Sequence, residues 1–206
     1  MASLERHIYL ASRSARRREL LKQMGVSFEM LLLREGPGRD ADFDETPRPG
    51  EAPRDYTERV ARVKADAGWL RLEQRRLMRH PVLAADTTVA IGNEILGKPA
   101  DRDDAVAMLK RLSGTTHVVY SSVAVKYNDR LEEAMSETQV RLRELSDDEI
   151  RRYVATGEPF DKSGAYAIQG KASLFVEHIA GSYTGVVGLP VFETAQLLAS
   201  FGLRTL

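Results

Sequence analysis

The chain lacks cysteine: none of its 206 residues is Cys. This absence excludes disulfides, thiolate zinc sites and cysteine nucleophiles, and it leaves Asp, Glu and four His as the candidate metal ligands. The sequence also has no apolar run near the ~18 residues of a membrane span, and its first residues do not have the pattern of a secretory signal. We therefore expect a soluble, cytoplasmic protein with no membrane partner.

The chain also lacks net charge, because 30 Lys and Arg balance 30 Asp and Glu. A neutral chain has no overall field that selects a nucleic acid, and the few aromatic residues do not interleave with the basic stretch from Arg71 to Arg79. We expect no nucleic-acid partner. The hydrophobic fraction of 43% and the charged fraction of 29% are ordinary for a folded domain, long enough here to hold a cleft.

Several catalytic motifs are absent from the sequence. It contains no P-loop, no HExxH zinc motif, no GxSxG nucleophile elbow and no Rossmann glycine fingerprint. Kinase-like, zincin and serine-hydrolase functions therefore lose support. The four histidines, His7, His80, His117 and His178, do not have the spacing of metal ligands, and we assign them no ligand role.

Strand and helix patterns alternate along the chain. Strand patterns are predicted at residues 7–11, 82–91, 94–97, 116–127, 133–144 and 172–179. Helical patterns are predicted at residues 15–24, 55–79, 101–114, 146–157 and 190–201. Residues 34–54, rich in Pro, Gly and acids, predict a mobile surface flap, and residues 181–188 predict a Gly-rich turn. Because hairpins occur among the alternating elements, the pattern predicts an α/β fold with a mixed β-sheet and flanking helices.

Basic residues surround the start of the first predicted helix: Arg13 and the run Arg16 to Arg18. The amide groups and the macrodipole already make a helix N-terminus positive, so cations there do not help stability. The same position suits a phosphate, which Arg binds with two hydrogen bonds. We favour a phosphate site over a solvated basic face. Arg16 and Arg17 cannot both face one ligand, so one of them is a candidate for binding base or sugar.

Asp86 is the one charge in the most apolar predicted strand. An unpaired buried carboxylate costs several kcal/mol, so Asp86 must be paired, bound to metal or placed at the mouth of a cleft. Glu45, in the predicted flap, is a candidate for a second carboxylate, although alone it would be only an acid on a loop. The two together would suit magnesium, which prefers hard oxygen ligands and substrate phosphates.

Three further residues give weaker signals. Lys64 flanks the apolar stripe of a predicted helix, and Lys98 follows a predicted strand, positions where most lysines extend along the surface. Gln169, before Gly170, carries an amide that could pair with a base edge, although the dipeptide alone predicts only a turn.

Nine short segments, in order along the chain, resemble the Maf family of nucleoside triphosphate pyrophosphatases. The segments are Leu10 to Arg17, Glu45 to Pro47, Ala61 to Ala65, Ala85 to Thr87, Gly97 to Pro99, Leu112 to Gly114, Asp161 to Tyr166, Ile168 to Gly170 and Val187 to Pro190. The resemblance covers nearly the whole chain and implies a single Maf-like domain over residues 1–206. Ala15 stands where the family usually has Pro, which costs the loop some pre-organisation and is not expected to remove its function.

The resemblance implies hydrolysis between the α and β phosphates of a nucleoside triphosphate, with a divalent cation, magnesium or manganese, as cofactor. By this similarity Asp86 is the proton acceptor that activates water, and Glu45 and Asp86 bind the metal. Whether Asp86 binds metal, accepts the proton or does both stays open. The residues expected to hold the phosphates are Ser12, Arg17, Lys64 and Lys98.

Three residues fall at family positions that sort substrates: Arg16, Thr87 and Gln169. They look like the branch that acts on dTTP and UTP, whereas the branch that acts on 7-methyl-GTP has Trp, Gln and Glu there. The family also implies two lobes around a substrate cleft, an ITPase-like arrangement, and a homodimer. Two alternatives stay open: a pyrophosphatase for modified or non-canonical nucleotides, and a nucleotide-binding regulator of septum formation with little turnover.

Overall fold

The computed structural model describes residues 7–34, 36 and 41–205, so part of the predicted flap, residues 35 and 37–40, lies outside the described residues. The strands are β1 (His7–Leu10), β2 (Ser27–Met30), β3 (Val82–Ile91), β4 (Glu94–Leu96), β5 (Thr116–Tyr127), β6 (Arg130–Leu142) and β7 (Val176–Ala180). The α-helices are α1 (Ala15–Gln23), α2 (Pro53–Gln74), α3 (Arg102–Leu112), α4 (Asp147–Ala155), α5 (Tyr183–Val187) and α6 (Val191–Ser200). Short 3-10 helices lie at Glu158–Asp161, Ser163–Ala165 and Lys171–Phe175.

The strands form one sheet in the order β2-β1-β3-β5-β6-β7, and β4 also pairs with β3. The pairs β2-β1 and β1-β3 are parallel, and the remaining pairs are antiparallel. This topology confirms the predicted mixed-sheet α/β fold. Among the described residues, no helix is both long and apolar enough to cross a membrane.

Strand β3 has two different neighbours along one of its edges. Strand β1 pairs with its first residues, Val82 and Leu83, and β4 pairs with its last residues, Val89 to Ile91. The opposite edge is paired with β5 from Val82 to Ala90. The sheet therefore forks at residues 84–88, and the fork contains Asp86 and Thr87. A point where strand connections diverge is where α/β sheets commonly bind ligands.

Side chains alternate across β3 and separate two hydrophobic cores. Val82 and Ala84 belong to the core beneath α2, whereas Leu83 and Ala85 belong to the larger core on the other face of the sheet. Helix α2 packs closely on β3, because a Cβ atom added to Gly68 would lie 2.7 Å from Val82 Cγ1. One hydrophobic core therefore lies on each face of the forked sheet.

Some predicted boundaries were wrong. Strand β2 was not predicted, because its four residues are half-buried at most and give little apolar signal. The helix predicted to reach Arg79 ends at Gln74, and Arg76 has a left-handed φ of 53°. The basic stretch is therefore only partly helical, and Arg71, whose side chain is 19% exposed, lies 3.5 Å from Asp42 in an ion pair.

Two segments near the C-terminus also differ from the prediction. The strand predicted from Ala172 begins only at Val176, after the 3-10 helix Lys171–Phe175. The Gly-rich turn predicted at residues 181–188 contains the short helix α5, whose N-cap residue Ser182 accepts a hydrogen bond from the Gly185 amide. In both segments a capping or tertiary contact outweighs the local pattern.

His117, on β5, is 1% exposed, and its Nε2 lies 2.8 Å from the Tyr166 hydroxyl. Burial lowers the pKa of His117 to about 4. The unfolded chain therefore binds a proton near pH 6.5 that the folded protein does not bind until about pH 4. Stability should be lost as the pH falls through this window.

We expect His117 to make the wild type about 2 kcal/mol less stable at pH 5 than at pH 7. Replacing it by Gln, which cannot titrate, should remove that part of the pH dependence. Urea unfolding of wild type and His117→Gln at both pH values measures the difference. An equal loss of stability in the two proteins would contradict a depressed histidine pKa.

Candidate active site

A cleft of about 850 Å³ opens at the fork of β3. Its walls come from the start of α1, residues 45–47, the middle of β3 and the loops that follow β4, α4 and α5. Every residue to which the resemblance gives a site role lines it: Ser12, Arg16, Arg17, Glu45, Lys64, Asp86, Thr87, Lys98 and Gln169. The chain thus brings residues that are up to 157 positions apart in sequence into one cavity.

Lys64 lies between two carboxylates. Its Nζ donates to Asp86 Oδ1 at 2.9 Å and lies 2.9 Å from Glu45 Oε2. The side chains of Lys64 and Asp86 are only 9% and 13% exposed. Burial acts to lower the pKa of Lys64, but the charges of Asp86 and Glu45 outweigh it and raise that pKa. Lys64 therefore stays an ammonium ion, which balances one of the two negative charges.

The position of Lys64 follows from its place on α2. It lies four residues after Val60 and four before Gly68, on the face of the helix that packs on the sheet. Most lysines beside an apolar stripe extend along the surface, but Lys64 does not, because its helix face is buried. The ammonium group also lies 5.2 Å from the ring centre of Phe43, which is itself buried.

Asp86 has a second hydrogen-bond partner. Thr88, on the same face of β3, donates from Oγ1 to Asp86 Oδ2 at 3.2 Å. Each carboxylate oxygen thus has one donor, and a carboxylate can accept about four hydrogen bonds in all. Asp86 is held in place and keeps the capacity to accept another proton donor from the cleft.

Tyr56 is a cleft residue whose role the sequence did not indicate, since it belongs to the same apolar stripe of α2. Burial raises the pKa of Tyr56, and the charges of Asp86 and Glu45 raise it further. Its phenol therefore stays protonated at neutral pH. Its spacing from Lys64, two steps of four residues on one helix, is the signal that could have placed it beside the carboxylates.

Glu45 lies in the predicted mobile flap, but hydrogen bonds hold the residues next to it in the chain. Asp44 accepts hydrogen bonds from the Thr46 amide at 2.8 Å and from the Thr46 hydroxyl at 2.6 Å. Arg59, on α2, donates to the Thr46 carbonyl at 3.1 Å and to Glu51 at 2.8 Å. The hydrogen bond from Arg59 lowers the pKa of Glu51 to about 2, so this pair stays ionised near neutral pH.

Arg17, in the first turn of α1, lies on the other side of the fork. Ser14 caps α1 by accepting from the Arg17 amide, and the Arg17 side chain donates to Gly188 O at 2.8 Å and to Ser12 Oγ at 3.2 Å. It also donates to Thr87 Oγ1 at 3.4 Å. The guanidinium group is thus pre-oriented at the start of a helix, where a phosphate is favoured.

Ser121, on β5, was not predicted and lies beneath this network. Its buried hydroxyl donates to Gly185 O at 2.6 Å and lies 3.1 Å from Thr87 Oγ1. Thr87 in turn lies 3.3 Å from Gly188 O. The hydroxyls therefore join β3 and β5 to the end of α5, but a serine in an apolar strand gives no sequence signal for this.

The remaining predicted residues lie at the mouth of the cleft. Arg16 forms an ion pair of 3.2 Å with Asp161 on the opposite wall. Burial acts to raise the pKa of Asp161, but the hydrogen bond from Lys162 and the nearby cations lower it overall. Lys98 and Gln169 are exposed, and within the described residues neither side chain makes a hydrogen bond or ion pair. Both are available to a ligand.

The cleft supplies two carboxylates of the kind that a hard divalent cation prefers as ligands. Across residues 7–34, 36 and 41–205, no group of three or more His, Asp or Glu could hold a metal ion. Asp86 and Glu45 do approach one common cation, the Lys64 ammonium. Proteins commonly bind magnesium through one or two carboxylates, and waters and substrate phosphate oxygens supply its other ligands.

We expect Lys64→Met to lower the free energy of unfolding by about 3 kcal/mol, because it leaves the largely buried Asp86 without its cation. Adding Asp86→Asn should restore much of this loss, since the unpaired charge is then gone. Urea unfolding at pH 7 measures both. The control is Lys126→Met, which breaks the more exposed pair with Asp66 and should cost at most about 1 kcal/mol. A double variant no more stable than Lys64→Met would contradict the charge balance.

The chain matches a family model and resembles curated proteins over nearly its whole length. The family model described as Maf-like protein matches residues 7–201. Two curated proteins named dTTP/UTP pyrophosphatase are similar over nearly the whole length: that of Aromatoleum aromaticum, 58% identical over 98% of each chain, and that of Dechloromonas aromatica, 55% identical over 97% of this chain and 99% of that one. Among solved structures, the Staphylococcus aureus Ham1 protein has 12% identity and a TM-score of 0.46, and the match covers 95% of this chain and 97% of that one.

Proposed function

The chain belongs to the Maf family, and on that premise we propose that it is a nucleoside triphosphate pyrophosphatase that hydrolyses dTTP and UTP to the monophosphate and pyrophosphate. The observation that carries this proposal is the grouping of Asp86, Glu45 and Lys64 in one cleft with Arg17, at the start of α1. Such a cleft has carboxylates for water and metal on one side and cations for phosphates on the other.

Binding of the triphosphate falls to the cationic residues and one hydroxyl. Arg17 already donates to Ser12 and Gly188, so its guanidinium group is ordered before a phosphate arrives. Lys98 brings an exposed ammonium from the loop that follows β4, and Lys64 adds a buried one. Charge on the phosphates is thereby offset by groups that need little rearrangement.

The reaction needs a proton acceptor beside the attacking water. In the proposed step the water oxygen bonds to the α-phosphorus, the bond to the bridging oxygen breaks, pyrophosphate leaves, and the water proton passes to Asp86. Hydrogen bonds from Lys64 and Thr88 fix the orientation of the carboxylate for this transfer. A positioned base of this kind contributes about 10²- to 10⁴-fold to a rate.

Magnesium or manganese would be held by Asp86 and Glu45 and would supply positive charge to the phosphate oxygens. Lys64 balances the same two carboxylates. Asp44, Thr46, Arg59 and Glu51 keep Glu45 facing Lys64. These contacts support a preformed pair of ligands.

Selection of the base is assigned to Arg16, Thr87 and Gln169. Gln169 is exposed in the cleft, and its amide can give one donor and one acceptor to the imide edge of thymine or uracil. Thr87 lies beside Arg17, whose side chain donates a hydrogen bond to the Thr87 hydroxyl. Arg16 must release Asp161 if it is to contact the nucleotide.

We expect the wild type to release pyrophosphate fastest from dTTP and UTP in a panel with CTP, GTP, 7-methyl-GTP and ITP, with magnesium or manganese added. Asp86→Asn should lower kcat by about 10²- to 10⁴-fold, because the amide cannot accept the water proton. Triphosphate binding by that variant, measured by calorimetry, is the control. A wild type that binds nucleotide without turnover would instead favour a nucleotide-binding regulator. Fastest release of pyrophosphate from a modified or non-canonical nucleotide would favour a pyrophosphatase for such nucleotides.

Gln169→Ala should lower kcat/KM for dTTP and UTP by about tenfold or more and change that for CTP much less, because the lost amide pairs with the imide edge. The panel assay measures both. The matched control is Gln139→Ala, at an exposed glutamine of β6 outside the cleft, which should change neither value. Equal losses for all nucleotides would assign Gln169 to general binding.

The family resemblance also implies a homodimer, and the sequence analysis predicts a cytoplasmic location. Both stay predictions.

A further inference from the structure

The segment Tyr166–Gly170, here named the base loop, contains Gln169 and lines the cleft. It has no regular helix or strand, and within the described residues the Gln169 side chain makes no hydrogen bond. The backbone of the base loop therefore sets where the Gln169 side chain enters the cleft and which part of the cleft its amide can reach. What holds that backbone decides whether the amide can reach the edge of a base.

The first support of the base loop is Tyr153, on α4. The Ala167 amide donates to the Tyr153 hydroxyl at 3.2 Å, and that hydroxyl donates to Glu158 Oε1 at 2.9 Å. Tyr153 is 4% exposed. Burial raises the pKa of Tyr153, and its hydrogen bond to Glu158 raises it further, so the phenol keeps the proton that it donates.

Glu158 supports the other end of the base loop. Its carboxylate accepts from the Lys171 amide at 3.1 Å and from the Ala172 amide at 3.4 Å. These two amides begin the 3-10 helix Lys171–Phe175. Gly170 packs so closely on this carboxylate that an added Cβ would lie 2.5 Å from Glu158 Oε1.

One relay of hydrogen bonds therefore ties both ends of the base loop to the same carboxylate. The start is tied through Ala167 and the Tyr153 hydroxyl, and the end directly through Lys171 and Ala172. Neither Tyr153 nor Glu158 lines the cleft. Both side chains would therefore affect a ligand in the cleft only through the loop that they hold.

We propose that Tyr153 and Glu158 are positioning residues for base selection, which hold the base loop so that the Gln169 amide meets the imide edge of uracil or thymine. This inference rests on the proposed function. It predicts that breaking the relay changes which base is accepted rather than how fast any bound triphosphate is cleaved.

The test compares kcat/KM for UTP with kcat/KM for CTP, two nucleotides that differ only at the base edge that Gln169 is proposed to read. Their ratio does not depend on how much of a preparation is folded, because an inactive fraction lowers both values equally. A role in stability alone would therefore leave the ratio unchanged.

Tyr153→Phe removes the hydroxyl and leaves the ring in place. We expect it to lower the ratio of UTP to CTP by about threefold to tenfold, the usual value of one hydrogen bond, with kcat for UTP changed less than KM. The matched control is Tyr127→Phe, at a partly buried tyrosine that packs on Trp69 with ring centres 5.9 Å apart and lies outside the cleft. Its ratio should equal that of the wild type.

Glu158→Gln and Gly170→Ala disturb the same relay in other ways. The amide of Gln cannot accept every hydrogen bond of the carboxylate, and the methyl group of Ala must displace Glu158. Both should lower the ratio. Because Tyr153 and Glu158 act through one relay, the double variant Tyr153→Phe with Glu158→Gln should lower it little further than the larger single change.

The outcomes separate this inference from the proposed function. A wild type that cleaves UTP and CTP equally well would overturn the proposed substrate and this inference with it. A wild type that prefers UTP, with an unchanged ratio in the relay variants, would overturn this inference alone. If Tyr153→Phe does not fold, the ratios of Glu158→Gln and Gly170→Ala decide the question by the same criterion.

Discussion

The ammonium group of Lys64 holds together two carboxylates that the chain brings from different elements, Asp86 from the sheet and Glu45 from the segment before α2. Without that cation the two acids would repel each other at a partly buried site, and Asp86 would lack its strongest partner. The rest of the cleft is arranged around this contact. Helix α2 can deliver Lys64 because Gly68 lets it approach β3 closely.

The fork of β3 creates the room that this ion group needs. Where β1 ends and β4 has not begun, the edge of β3 pairs with no other strand of the described part of the chain, and the loops that follow β4 and α4 reach the cleft there. The same fork lets the Arg17 side chain, from the start of α1, reach Thr87. The carboxylates proposed for catalysis and the cations proposed to bind phosphate are therefore adjacent, although different hydrophobic cores support them.

The sequence predicted the mixed sheet and the residues of the cleft, because apolar periodicity and short motifs are local. It did not predict what depends on distant contacts. The contacts of Lys64 with Asp86, of Ser121 with Thr87 and of Glu158 with Ala172 were not predicted, since these partners lie 22, 34 and 14 positions apart in sequence. Strand β2 was missed because it is short and half exposed.

Because successive side chains of β3 point to opposite faces of the sheet, evolution cannot freely change the number of residues in this strand. Asp86 points toward Lys64 on one face of the sheet, and Thr87 points toward Arg17 on the other. Inserting or deleting one residue before them would exchange these faces and turn the acid toward the arginine. Natural variation in length should therefore avoid β3 and collect in the surface connections, such as the turn between β5 and β6.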